Sequence, residues 1–114
     1  MVVINWNDIY STINCLDSLY KSTYSDFDVV VIDNGSEQDP GEILKTSFPE
    51  ITYIRNDENK GFTGANNQGM ELAIQKDAEF VWLVNNDATV DPDALSNLVE
   101  CMESDPKIGL LSPM

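Results

Sequence analysis

Apolar residues along the chain gather into five short runs separated by four stretches of helical periodicity. Val2-Val3-Ile4 forms the first run, and Ile9, Ile13, Leu16 and Leu19 after it recur at the spacing of one helix face. The segment FDVVVI, Phe27 to Ile32, is almost continuously apolar, as a strand covered on both faces requires. Pro40 then opens a short helix through Ile43 and Leu44, proline being suited to a first helical turn. Ile51 to Ile54 predicts a third strand. A third helix is expected from Thr63 to Gln75, with Ala65, Gly69, Met70, Ala73 and Ile74 inward, and a fourth strand from Phe80 to Val84. The VWLV part of that strand is expected to be central in the sheet and covered on both faces. Pro92 begins a fourth helix with Leu95, Leu98, Val99 and Met102 on one stripe, and Ile108 to Leu111 predicts a fifth strand. Such alternation gives a mainly parallel sheet with right-handed crossovers and helices on both faces. The fold class is therefore α/β, a three-layer Rossmann-like half-domain.

The first four strands each give way to a polar cluster. These exits read Asn5-Trp6-Asn7-Asp8, Asp33-Asn34-Gly35-Ser36, Arg55-Asn56-Asp57-Glu58-Asn59 and Asn85-Asn86-Asp87. In a parallel sheet all four lie along one edge, where open α/β folds bind ligands. Taken singly, each cluster is a turn with a helix cap, and Asp8, Ser36 or Asp39, and Asp91 suit that role. Taken together they make a hydrogen-bonding ledge, neutral to acidic, with Arg55 and Lys60 as its long cations.

Composition narrows the ligand. The chain has 114 residues, which suits one domain, and its 20 acids against 6 bases leave a net charge of −14. Six scattered cations cannot build a phosphate-binding patch for nucleic acid, so no nucleic-acid partner is expected. There is no histidine, which excludes Ser-His-Asp and Cys-His hydrolases. Cys15 and Cys101 lie far apart without a CxxC, and are expected as buried free thiols in a reducing, cytoplasmic compartment. No run approaches the ~20 apolar residues of a membrane span and no signal peptide precedes the first strand, so no membrane contact is expected from this segment.

Phosphate-loop signatures are absent as well. There is no GxxxxGK[ST], and Gly61-Phe62-Thr63-Gly64 has neither the order nor the position of a GxGxxG fingerprint. A phosphorylated receiver domain would carry an acid pair after its first strand, where this chain has Asn5. Carboxylate, amide and water oxygens suit Mg²⁺ or Mn²⁺, ions that keep waters and lean on substrate phosphates.

The ordered set VVINWN, VVVIDNGS, NDENKGFTGANNQG and VWLVNNDATVDPDAL resembles the N-terminal, nucleotide-binding half of family 2 glycosyltransferases of the GT-A fold. Within them it is similar to the bacterial rhamnosyltransferase-type members that build cell-surface polysaccharides. The resemblance runs the length of residues 1–114, read as one nucleotide-sugar-binding domain of a longer enzyme. It implies that the strand exits hold a nucleoside-diphosphate sugar, UDP- or dTDP-linked, whose diphosphate is bridged by a divalent cation. Asn5, Trp6 and Asn7 would lie beside base and ribose, Asp33 would accept from a pyrimidine ring N–H, and Asn34 would belong to the same nucleotide site. Lys60, Gly61 and Asn66 would belong to the segment closing over the nucleotide; many relatives carry Arg where Asn66 stands, and Lys60 or Arg55 could supply that charge.

By the same resemblance Asn85-Asn86-Asp87 is the DxD-type motif. Asp87 would ligate Mg²⁺ or Mn²⁺, and Asn85 and Asn86 would touch ribose hydroxyls or reach the ion through water. At roughly 4 Å and an effective dielectric near 20, one missing carboxylate removes about 8 kcal/mol of gross attraction to a divalent ion, partly offset by desolvation avoided. Metal and nucleotide are therefore expected to bind together. The implied reaction is inverting transfer of the sugar to an acceptor hydroxyl of a glycan or lipid-linked acceptor, at the cytoplasmic face of the membrane in the full-length enzyme. The catalytic base is expected beyond Met114, and the segment is expected to turn over little by itself. Two other readings remain open: a sugar nucleotidyltransferase, and a non-catalytic nucleotide-binding or assembly module.

Overall fold

The computed structural model describes residues 1–111. Its elements are β1 (Val2–Asn5), α1 (Ile9–Tyr20), β2 (Val30–Asp33), α2 (Gly41–Ser47), β3 (Thr52–Arg55), α3 (Gly61–Gln75), β4 (Leu83–Asn85) and α4 (Ala94–Ser104). The four strands are parallel in the order β3-β2-β1-β4. Val2 registers with Val30 on one side and Leu83 on the other, and Asn5 lies level with Asp33. All four strand exits consequently share one edge.

Period-two alternation sorts the strand residues between two apolar layers. Val3, Val31 and Val84 pack with Cys15, Leu16 and Leu19 of α1, Leu44 of α2, and Phe48. Val2, Val30 and Ile32 pack on the opposite face against Ala65 and Leu72 of α3. Burying a leucine such as Leu16 completely stabilises the fold by about 1.5–3 kcal/mol. α3 comes close to the sheet because position 69 is glycine; a Cβ there would overlap the Val2 side chain. Asp8 caps α1 as the sequence suggests, its carboxylate accepting from Ser11 N at 3.3 Å. Asp39 and Asp91 instead accept from the amides two residues on, Gly41 N and Asp93 N, each at 2.8 Å.

Four expectations are corrected. Residues 108–111 form no strand and Leu110 is exposed, because an apolar run becomes a strand only where a neighbour takes its hydrogen bonds. β4 is an edge strand among the described residues, three residues long, with Leu83 41% exposed. Its apolar run reflects one buried side chain, Val84, and the other face is not covered by α3, which lies over β1 and β2. Ile74 is 70% exposed rather than inward, since Ala65, Gly69 and Leu72 define the facing side and Ile74 lies about 200° round from Leu72. Both cysteines are free, but Cys101 is only half-buried on α4.

Candidate active site

Strand order reverses direction between β1 and β4, and the crevice outside such a switch point is where ligands bind in open α/β sheets. A cleft of about 280 Å³ lies there, lined by Ile4, Trp6, Asn34, Phe62, Asn85 and Asn86 among others. Trp6 is 54% and Phe62 63% exposed, large values for aromatic side chains facing a concave surface. Together they offer two apolar ring faces beside a set of amides.

Behind the cleft the polar side chains form one connected network. Asp33 is wholly buried. Its Oδ1 accepts from Asn5 Nδ2 at 2.8 Å and Ser36 Oγ at 2.5 Å, and its Oδ2 from Ser36 N at 3.0 Å and Arg55 Nη1 at 2.8 Å. These four donors fill the acceptor capacity of a carboxylate. Arg55 Nη2 reaches the Ser36 carbonyl at 2.9 Å, so this arginine braces the β2 exit. Asn7, in the left-handed region at φ 51°, donates its N–H to Ser36 Oγ at 2.8 Å and accepts Glu37 N at 2.8 Å. Asparagine tolerates that backbone because its short side chain bonds locally.

A second amide set ties β2 to the start of α3. Asn34 donates to Asn59 Oδ1 at 3.0 Å and the Gly61 carbonyl at 3.2 Å, and accepts Lys60 N at 2.9 Å and Asn56 Nδ2 at 3.2 Å. Asn56 and Gln68 exchange reciprocal amide bonds of 2.7 and 2.9 Å. Gly35, at φ 82°, lets this turn pass against the Glu58 backbone, which a Cβ would strike.

The residues singled out from sequence therefore fall into two groups. Trp6, Asn34, Asn85 and Asn86 line the cleft; Asn5 and Asp33 lie buried behind it, and Asn7 holds the neighbouring turn. Lys60 Nζ has no partner among the described residues, whereas both terminal nitrogens of Arg55 are engaged. Gly61 opens α3, where Lys60 makes no capping bond and Asn59 Oδ1 accepts from Gly61 N at 2.7 Å. Asn66 is 4% exposed and its Nδ2 has no hydrogen-bond partner, an unsatisfied buried donor on α3. Asp87 is exposed and close enough to Cys15 to help raise its thiol pKa to about 11, burial being the larger cause.

Sequence reasoning missed Phe62, Thr12 and Gln68, and gave Ser36 only as a helix cap. Phe62 stands just before the expected helix with no local signal of its own, and its exposure at the cleft is what reveals it. Thr12 carries a legible signal: a hydroxyl near an apolar helical stripe that includes Leu16 and Leu19. Its side chain is fully buried and bonded to Asn5.

The oxygen-only donor set of Asn85, Asn86 and Asp87 fits a hard divalent ion in kind. Among the described residues no three His, Cys, Asp or Glu side chains converge on one point. A single carboxylate with two amides is thus a partial ligand set.

A parallel sheet with its cleft at the switch point and amides and an acid at the strand exits is an open α/β fold with a polar ligand edge. The chain belongs to glycosyl transferase family 2, whose family model matches residues 1–112. A putative colanic acid biosynthesis glycosyl transferase of Escherichia coli is 30% identical over 94 residues, 80% of this chain and 33% of that protein. The fold is similar to TarS 1–349 of S. aureus solved with UDP-GlcNAc, at TM-score 0.79 and 20% identity, covering 99% of this chain and 36% of that one. It is also similar to a mannosyltransferase of Pyrobaculum calidifontis solved with GDP-Man and Mn2+, at TM-score 0.75 and 22% identity, covering 95% and 32%. The chain spans a third or less of the length of the curated relatives it matches.

Proposed function

We propose that this chain is the donor-binding part of an inverting glycosyltransferase, holding a UDP- or dTDP-linked sugar for transfer to an acceptor hydroxyl in cell-surface polysaccharide synthesis. The observation that carries this reading is the switch-point cleft, where two exposed aromatic rings flank the amides of Asn34, Asn85 and Asn86. Stacking on Trp6 would hold a base without reading its edge. Asp33, with four protein donors on its carboxylate, acts by fixing Asn5, Ser36 and Arg55; contact with a base N–H would require one of these to leave. Lys60 is the cation left to meet the diphosphate, and Asn66 Nδ2 is a donor that a ligand or water would satisfy.

Asp87 would hold Mg²⁺ or Mn²⁺, with Asn85 and Asn86 contributing oxygens directly or through water. A bound ion would supply Lewis-acid stabilisation of the departing diphosphate. The free thiols support a cytoplasmic setting.

Calorimetric titration of Mn²⁺ into the chain, with and without UDP, tests the reading. The single carboxylate predicts weak binding of metal alone and much tighter binding with UDP present. Equal affinity in both titrations sinks the shared site. A thermal-shift panel of UDP- and dTDP-sugars with Mn²⁺ separates donors; no metal-dependent shift with any of them favours an assembly module instead.

A further inference from the structure

We propose that Thr12 is a positioning residue that fixes the orientation of the Asn86 amide, so that Asn86 offers the ligand an acceptor oxygen and never its NH₂. The proposal rests on the donor-binding reading above for what the ligand is, but its first part concerns the free chain.

The orientation is set by the protons available along the network. The Asp33 carboxylate, paired with Arg55, accepts only, so the Asn5 side chain 2.8 Å away must present its NH₂ to it. Asn5 Oδ1 is then turned to Thr12, whose Oγ1 lies 2.6 Å away. That contact needs a proton, and Thr12 is its source. A hydroxyl has one proton, so toward Asn86, 3.2 Å distant, Thr12 Oγ1 can only accept. Asn86 must therefore point Nδ2 at Thr12. Its Oδ1 is left without a hydrogen-bond partner among the described residues, at a position that lines the cleft.

Amide orientation is thus set from the β3 exit through β2, β1 and α1 to the β4 exit, in one direction. Arg55, Asp33, Asn5 and Thr12 act on the ligand through Asn86. An amide oxygen binds a hydrogen-bond donor or a cation and repels a phosphate oxygen. The partner of Asn86 is accordingly a ligand hydroxyl, a metal-held water or the metal ion itself, all of which take an acceptor oxygen.

NMR of the ¹⁵N-labelled chain without ligand tests the orientation. In the wild type the Asn86 side-chain NH₂, identified by its loss in Asn86→Asp, is expected to show cross-relaxation to the Thr12 methyl and Hβ protons. Absence of those contacts overturns the proposal without any Thr12 variant. Thr12→Ser should keep the NH₂ protected from solvent exchange, and Thr12→Val, which keeps shape but not the hydroxyl, should lose that protection.

Calorimetry with UDP and Mn²⁺ tests the consequence. Thr12→Val is expected to weaken binding about 5- to 30-fold while Thr12→Ser stays within about twofold. With 2′,3′-dideoxy-UDP, disappearance of the Thr12→Val penalty assigns the Asn86 partner as a ribose hydroxyl, and its persistence assigns the metal ion or a water it holds. Equal affinity of wild type and Thr12→Val for UDP overturns the positioning role. Should the wild type bind no nucleotide at all, the donor-binding reading fails while the NMR result still decides the orientation.

Discussion

Arg55 donates from Nη1 to Asp33 Oδ2 at 2.8 Å, so the only arginine in the chain closes the far side of a buried carboxylate rather than facing the cleft. The pair holds β3 to the β2 turn, and the Nη2 bond to the Ser36 carbonyl makes the contact two-pronged. Arg55→Met leaves Asp33 buried without its counter-charge. Urea unfolding should show a loss of about 1.5–3 kcal/mol, the range for a hydrogen bond to a charged group, with Arg55 part-exposed and therefore below the cost of a fully buried pair. Arg55→Lys should recover part of it.

Gly69 marks where α3 touches β1. Gly69→Ala would ordinarily favour a helix, yet here the added methyl meets the Val2 side chain. The overlap is expected to outweigh the propensity gain and cost about 1–3 kcal/mol. A paired Val2→Ala change, which costs stability in the wild type, should cost less or restore stability in Gly69→Ala, which a double-mutant cycle by chemical denaturation reads directly.

Trp6 is exposed enough that Trp6→Ala should leave the unfolding midpoint nearly unchanged. Under the donor-binding reading it should still weaken UDP binding by about 1–3 kcal/mol, the usual worth of base stacking on an aromatic side chain. Phe62→Ala should behave similarly. An unchanged UDP affinity in both variants would place the base elsewhere.

Cys15 sits under the β4 exit, its Sγ 3.5 Å from the Asn85 carbonyl. Burial, and secondarily the Asp87 charge, push the thiol from 9.0 to about 11. A raised folded pKa gives stability that is whole below pH 9 and is lost as pH rises toward 11, because the unfolded thiol ionises first. Thermal unfolding between those values should decline less steeply in Cys15→Ala than in the wild type. At pH 8 a thiol reagent should leave Cys15 unmodified until the chain is unfolded.

Much of the fold was written in local patterns. Runs such as Val2-Val3-Ile4 and Val29 to Ile32 favour strands, the alternation with helical stripes implies a parallel sheet, and the polar exits then share an edge. Element ends were less legible. β2 begins at Val30 rather than Phe27 and β4 at Leu83 rather than Phe80, because a ladder starts where a neighbour is present. Ile74 was misplaced since Met70, Ala73 and Ile74 are all apolar and the packing of Gly69 on Val2 sets the helix phase.

The sequence by itself determined the class of chain, the shared edge and the polar residues that occupy it, since periodicity and turn chemistry act over a few neighbouring residues. Only the tertiary structure decided what each polar group does there. Asp33 and Arg55, separated by 22 positions, meet in a charged hydrogen bond, while Asn86 and Thr12 meet across 74. A side chain's hydrogen-bonding role depends on which donors and acceptors surround it in space, and those partners come from distant segments that no local pattern specifies.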